Sequence, residues 1–232
     1  MNVLFDIEGI ENISIDKQYI KNKCHLIDVK NTVAEQYLVN RNQYKFDNFL
    51  YDASEKVLYI LNLTPNGKIF GLQTRPLYKC SNAKYKTYKL SNIYSMILHE
   101  NIEIDEELDN MSMFFNILNI DFNVPIVVTE GPMDAFLLKN GVATCGAGKR
   151  MPVDLNYYYL YDDDKTGREK AFDKLNSGFN VFLWDKFKSD LELPHRQKWD
   201  YNDVVNYCKS NNIKIPFISQ YFSNDKFDII NI

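Results

Sequence analysis

Ile126-Val127-Val128-Thr129-Glu130-Gly131-Pro132-Met133-Asp134 and, further on, Tyr157-Tyr158-Tyr159-Leu160-Tyr161-Asp162-Asp163-Asp164-Lys165-Thr166-Gly167 decide the fold class of this 232-residue chain. Each stretch begins as a β-branched or aromatic run, stops abruptly at acids, and passes into a helix-like pattern with a glycine near its start. Strand, acid, helix is thus written twice, which predicts an α/β fold with a parallel sheet flanked by helices. In such a sheet the carboxyl ends of neighbouring strands face one crevice, so Glu130, Asp162 and Asp164 are expected to meet despite their separation along the chain. Converging carboxylates without a histidine suit a hard cation, and magnesium usually keeps waters and substrate phosphates in its shell. That chemistry points to phosphoryl or nucleotidyl transfer. The blander reading has the same acids turning into solvent or capping helices and complementing their dipoles. Either cluster alone is compatible with it; the two together are more specific.

The neighbouring pattern extends the same architecture. Pro132 to Lys139 reads as a helix with proline in its first turn and Asn140-Gly141 as its stop. Val142 to Cys145 and Asn180 to Trp184 read as further strands, and Thr166 to Asn176 as a helix placing Ala171, Phe172 and Leu175 against the sheet. Upstream, Thr32 to Arg41 has helical spacing, while Val57 to Leu63, the turn Pro65-Asn66-Gly67 and Lys68 to Thr74 form a hairpin. These give a small α+β lobe ahead of the sheet. The expected organisation is an N-terminal lobe with basic hairpin region and acidic connector over 1–110, the parallel-sheet domain over 111–210, and a tail over 211–232. The first thirty residues and the tail suggest no function. Trp184 and the tyrosines from 157 to 161 are expected in the core.

Composition narrows the class further. A 45% hydrophobic content supports a packed core. No apolar run is long enough for a membrane span, and the acids near Met1 do not suit a signal peptide, so a cytoplasmic location without membrane association is expected. Cys24, Cys80, Cys145 and Cys208 lie far apart and form no C-x-x-C, so neither disulfides nor structural zinc are expected. The net charge of −4 hides a polarity: Thr64 to His99 holds six basic residues and no acids, while Glu100 to Asp109 holds six acids and no base. A basic block interleaved with Tyr78, Tyr85, Tyr88 and Tyr94 suits phosphate neutralisation with stacking on bases, and also reads as a solvated lysine-rich loop. Gly146-Ala147-Gly148-Lys149-Arg150 imitates part of a P-loop, but its spacing from Gly141 and the arginine at its end exclude one.

The pair Glu-Gly-x-x-Asp (130–134) and Asp-x-Asp-x-x-Gly (162–167), each after an apolar strand, resembles the Toprim domain shared by primases, some topoisomerases and some nucleases. Other fragments fall in the order of the catalytic core of bacterial and phage DnaG-type primases. The hairpin from Val57 to Gly71 and Arg75 is similar to that family's glycine-turn segment, and Ala83-Lys84-Tyr85 to its lysine-tyrosine pair. Lys89 ahead of Tyr94 resembles a second lysine, the helix around Ala34 to Arg41 the opening of the core, and Trp199-Asp200-Tyr201-Asn202-Asp203 its final acidic motif. The resemblance spans about residues 32 to 208. It lacks the family's zinc-binding module and any recognisable helicase extension. Asp163 also replaces the usual glycine between the paired aspartates, a charge expected to point outward.

The resemblance implies a DNA primase, making short RNA primers on a single-stranded DNA template from ribonucleoside triphosphates. Glu130, Asp162 and Asp164 would hold Mg²⁺ or Mn²⁺, with Glu130 as general base the other assignment; Asp134 and Asp200 would be auxiliary ligands or outer acids that orient the ligands. Arg75, Lys84 and Lys89 would contact template or triphosphate. A replicative helicase or a separate zinc-binding module are the implied partners, and an Asn-, Lys-, Ile- and Tyr-rich composition suits a phage-encoded enzyme in a host cytoplasm. Two alternatives stay open: a Toprim nuclease using similar acids, and a non-catalytic nucleic-acid-binding subunit of a replication assembly.

Overall fold

The computed structural model of the protein describes residues 5–78, 85–146, 151 and 155–229. They fall into two units, one running to Ile120 and taking in Thr144–Gly146, the other holding Asp121–Ala143 and the described residues from Met151 on. The division thus lies beyond the boundary at residue 110 read from the sequence.

The first unit is organised on a four-stranded antiparallel sheet, β1 (Phe49–Asp52), β2 (Val57–Leu63), β3 (Ile69–Pro76) and β4 (Lys86–Tyr88), in that spatial order. The β2–β3 hairpin is the expected one, and Gly67 takes φ 82° in its turn, where a side chain would be strained. Ahead of the sheet lie α1 (Ile7–Ile13), α2 (Lys17–Lys23) and α3 (Val33–Asn40), with side chains of Asp6, Asp16 and Thr32 accepting first-turn N–H bonds. After it, α4 (Leu90–Asn92) runs on as a π-helical stretch, Ile93–Leu98, stopped by left-handed His99. The acidic connector is helical only at α5 (Glu106–Met111), which Asp105 caps, followed by a 3-10 turn at Ile117–Asn119. Asn62 ties this segment to the sheet. Its amide donates to the Ser112 and Phe114 carbonyls at 3.0 Å each and its carbonyl accepts from Asn116 N–H at 2.8 Å. Gly71 is the counterpart on β3: a Cβ there would collide with the Ser112 carbonyl oxygen.

The second unit is the expected α/β layer. Its five-stranded sheet has the order β6-β5-β7-β8-β9, from β5 (Ile126–Thr129), β6 (Gly141–Ala143), β7 (Tyr157–Tyr159), β8 (Asn180–Phe182) and β9 (Phe222–Ser223). All pairings are parallel except that of β9 with β8. The residues past 210 therefore complete a sheet edge. Tyr221 is buried against this unit, its hydroxyl donating to Asp190 at 2.9 Å.

Four helices connect and cover the strands: α6 (Pro132–Ala135), α7 (Lys165–Asn176), α8 (Trp184–Asp190) and α9 (Tyr201–Ser210). α6 is shorter than expected: past Ala135 the chain tightens into turns in which Leu137 and Leu138 N–H donate to the Asp134 and Ala135 carbonyls, and Gly141 at the start of β6 packs where a Cβ would strike the Ala135 carbonyl. β8 ends before Trp184, which starts α8 instead; Trp184 is buried and its indole N–H donates to the Tyr161 carbonyl at 2.7 Å. On α7 the packed face follows Gly167, Ala171 and Leu175. Phe172, roughly 100° further round the helix, is 55% exposed, which corrects its expected place against the sheet.

Candidate metal centre

β5 and β7 are adjacent parallel strands with Val128 opposite Tyr159, so the chain leaving either strand emerges on the same rim. Past β5, Thr129 ties the turn by donating to the Gly131 carbonyl at 2.9 Å, and Pro132 opens α6, leaving Glu130 between strand and helix. Past β7, Asp163 bridges Trp199 as an antiparallel strand residue would and Asp164 is extended, at φ −132° and ψ 174°. Successive residues of an extended chain point to opposite sides, so Asp162 and Asp164 share one side and Asp163 takes the other.

The hydrogen bonds follow this alternation. Lys198 Nζ lies 2.6 Å from Asp162 Oδ2 and 2.7 Å from Asp164 Oδ2, so both carboxylates converge on one point. Asp162 N–H donates to Glu130 Oε1 at 3.4 Å, and Lys170 Nζ holds the other Glu130 oxygen at 2.5 Å. Asp163, expected to point outward, is instead 3% exposed. It pairs with Arg168 at 2.6 Å and Lys188 at 2.8 Å, while its backbone bridges that of Trp199. The carboxylate is turned inward because its neighbours occupy the rim.

Two further features set the geometry. Asp164 caps α7, accepting from Gly167 N–H at 2.9 Å. A Cβ at Gly167 would collide with the Asp162 carbonyl oxygen, so the glycine of Asp-x-Asp-x-x-Gly lets the first turn of α7 sit on the aspartate backbone. Beside Asp162 opens a cavity of about 520 Å³ with mainly aromatic and aliphatic walls, among them Tyr159, Tyr161, Phe172, Phe182 and Trp184.

Burial pushes the Asp162 carboxyl above the ordinary range; Lys198 pulls it back, and the charges of Glu130 and Asp200 add to the rise. For Asp164 the push from burial is outweighed by the Lys198 and Gly167 hydrogen bonds, leaving it below the ordinary range. Lys198 shows the reciprocal effect, its loss of hydration outweighed by the two carboxylates, so it is held above the usual lysine range. Asp134 and Asp200 are both engaged at the start of α9. Asp134 accepts from Asn202 N–H at 2.9 Å, and Asp200 is the N-cap, accepting from Asp203 N–H at 2.6 Å.

The donor set is all oxygen, as Mg²⁺ or Mn²⁺ prefers. Among the described residues no three His, Cys, Asp or Glu side chains stand close enough together to hold an ion as they are. Asp162 and Asp164 do share a point, and Glu130 is drawn aside by Lys170. A cation-sized position between the two aspartates therefore exists, and an ammonium fills it.

The expected basic residues belong to the first unit. The Arg75 guanidinium lies over the rings of Tyr37 and Tyr85, 5.0 and 4.5 Å from their centroids, and donates to the Tyr85 hydroxyl. Lys89 Nζ donates to Asn110 Oδ1 at 2.5 Å and lies 3.9 Å from Asp109. Lys84, and the P-loop-like turn beyond Gly146, lie outside the described residues. Sequence reasoning missed Lys198 and Lys170. Lys198 carried one signal, its place directly before the quoted Trp199-Asp200 motif; Lys170 is one of several polar residues of α7 and carried none.

The second unit thus carries strand-end acids on a largely parallel sheet, and the first unit is an antiparallel sheet with helices. No family model matches the chain, and no curated protein does. Among solved structures it is similar to the RNA polymerase domain of Mycobacterium tuberculosis primase DnaG, 16% identical, covering 90% of this chain and 75% of that one with a TM-score of 0.45. It is also similar to the zinc-binding and RNA polymerase domains of Aquifex aeolicus primase, 14% identical over 88% of this chain and 53% of that one, TM-score 0.41. The primase fragment of the bacteriophage T7 primase-helicase protein is 16% identical, over 72% and 63% of the two chains, with a TM-score of 0.42. The chain spans about half of the Aquifex chain. No helix among the described residues is long and apolar enough to cross a membrane.

Proposed function

We propose that the chain is the catalytic core of a DNA primase, joining ribonucleotides on single-stranded DNA by metal-dependent nucleotidyl transfer. The observation that carries this reading is the convergence of Asp162 and Asp164 on one cation position, with Glu130 bonded to the Asp162 backbone beside them. Glu130, Asp162 and Asp164 would hold Mg²⁺ or Mn²⁺. When bound, the ion would offset negative charge developing on the transferring phosphoryl group and align the attacking and leaving oxygens. Glu130 is equally suited to accept a proton from the attacking hydroxyl once Lys170 releases it. Asp134 and Asp200, engaged on α9, would fix that helix and add negative field rather than coordinate directly. Arg75, Lys84 and Lys89 would contact template or triphosphate, arginine by a planar fork and lysine as a point charge.

Incubation with single-stranded DNA, labelled ribonucleoside triphosphates and Mg²⁺ or Mn²⁺ tests the reading. Labelled oligoribonucleotides are the expected product. Glu130→Gln and Asp162→Asn should each reduce their yield by at least about 100-fold, the scale of losing one group from a preorganised electrostatic site. Shortened DNA without labelled product would replace this reading with hydrolysis. Full activity in both variants would remove the carboxylates from the chemistry.

A further inference from the structure

Lys198 and Lys170 both neutralise the acid rim, yet they are held very differently. Lys170 projects from α7, its side chain 18% exposed, with its ammonium also 5.8 Å from the centre of the Tyr161 ring. Lys198 is 49% exposed and belongs to the connection between α8 and α9, where residues 194–198 have no helix or strand and lie open to solvent. A long side chain on such a segment has water and rotamer freedom available as an alternative to its ion pairs, which offsets part of what it would lose by leaving. Lys198 is thus the movable cation of the two.

Its position is what makes the mobility consequential. The ammonium bridges the oxygens that would otherwise face a divalent ion, and one point cannot hold both. Exchange would be favourable in charge. Glu130, Asp162 and Asp164 against Lys170 and Lys198 leave a net negative rim, to which Asp200 adds; a divalent ion in place of Lys198 removes one further unit of that negative charge and sets an ammonium free next to it. A phosphate-bearing ligand brought in with the ion supplies the negative charge that this ammonium then lacks. Arg196, beside it on the same segment, does not compete for the aspartates: it lies over the Trp199 ring at 4.5 Å and 3.7 Å from Asp203.

We propose that Lys198 is a resident counter-ion and phosphate-binding residue: it holds Asp162 and Asp164 together without a divalent ion, yields them to one, and then binds a phosphate of the incoming triphosphate. The inference rests on the nucleotidyl-transfer reading, and it adds to that reading a residue and an order of events.

The test reads binding, not turnover. Mn²⁺ is titrated into the full chain by electron paramagnetic resonance, and Mg²⁺ with a ribonucleoside triphosphate by calorimetry, for wild type, Lys198→Gln, Lys198→Arg and Arg196→Gln. The two measurements should move in opposite directions. Lys198→Gln should bind bare Mn²⁺ about tenfold more tightly and the Mg²⁺–triphosphate about tenfold more weakly, within the usual range of coupling between ligands. Lys198→Arg, keeping the charge, should stay within about threefold of wild type in both, and Arg196→Gln within about twofold for Mn²⁺ because its charge is turned to Asp203 and the Trp199 ring. Unchanged or weaker Mn²⁺ binding in Lys198→Gln overturns the counter-ion role. Unchanged triphosphate binding overturns the phosphate role. Both failures leave the primase reading standing, whereas absence of Mn²⁺ binding in every protein, wild type included, removes that reading and this inference together. Circular dichroism of each variant, with Lys198→Arg as the charge-retaining form, shows that the affinities are read on folded protein.

Discussion

Arg75 on β3 and Asp162 past the end of β7 are both charged groups drawn partly out of water, and their surroundings handle them differently. Arg75 is met by rings: Tyr37 and Tyr85 flank the guanidinium and one returns a hydroxyl. Asp162 is met by opposite charge, brought from Lys198 far along the chain and offset by the like charges of Glu130 and Asp200. The difference comes from the two sheets. In the antiparallel sheet side chains leave β3 one at a time on alternating faces, so a charge can be accommodated singly. At the carboxyl ends of parallel strands several chains of like charge arrive on one rim, and only cations from elsewhere in the fold can balance them.

The sharpest way to break this contrast is Asp163→Ala. It removes a buried carboxylate that answers two cations, and is expected to destabilise by about 3–4 kcal/mol, the lower part of the range for breaking a buried pair because Arg168 and Lys188 keep Asp185 and some solvent. Urea unfolding measures it; a loss below about 1 kcal/mol would mean that charge pairing does not hold the second unit together. In the first unit the comparable anchor is neutral. Asn62→Ala strands two carbonyls and an N–H and should cost about 2–3 kcal/mol by the same measurement.

Gly167→Ala probes the rim rather than the pairs. The added methyl must displace α7 or the Asp162 backbone, so about 1–3 kcal/mol of stability should be lost, together with most Mn²⁺ affinity. Retention of affinity would show that the site does not depend on this close approach. Phe172→Ala, at an exposed position, should change stability by no more than about 0.5 kcal/mol. A larger loss would mean that the cavity wall it forms is structural.

Legibility in the sequence divides along the same line. β5, β7, α7 and the β2–β3 hairpin announce themselves by local pattern: apolar runs cut off by acids, a capping aspartate three residues ahead of a glycine, a Pro-Asn-Gly turn. β1 did not, since Phe49–Asp52 is a short, almost wholly buried run without alternation, and β9 is fixed only by its pairing to β8. Of the acid rim, the convergence of Asp162 and Asp164 is implicit in the period of an extended chain. The inward turn of Asp163 is implicit there too, but its direction depends on Arg168 and Lys188, which local sequence does not relate to it. Lys198 is the clearest case of information that exists only after folding, because its partners lie on the far side of α7 and α8 in the sequence.

The path of the backbone between the units limits how the molecule can be dissected. It leaves the first unit at Ile120 and returns to it for Thr144–Gly146, directly after β6. The returning segment is fastened there, the Thr87 hydroxyl donating to the Cys145 carbonyl at 3.0 Å. A fragment beginning at Asp121 would keep every strand of the parallel sheet yet carry, in its middle, a stretch whose bonding partner had been left behind.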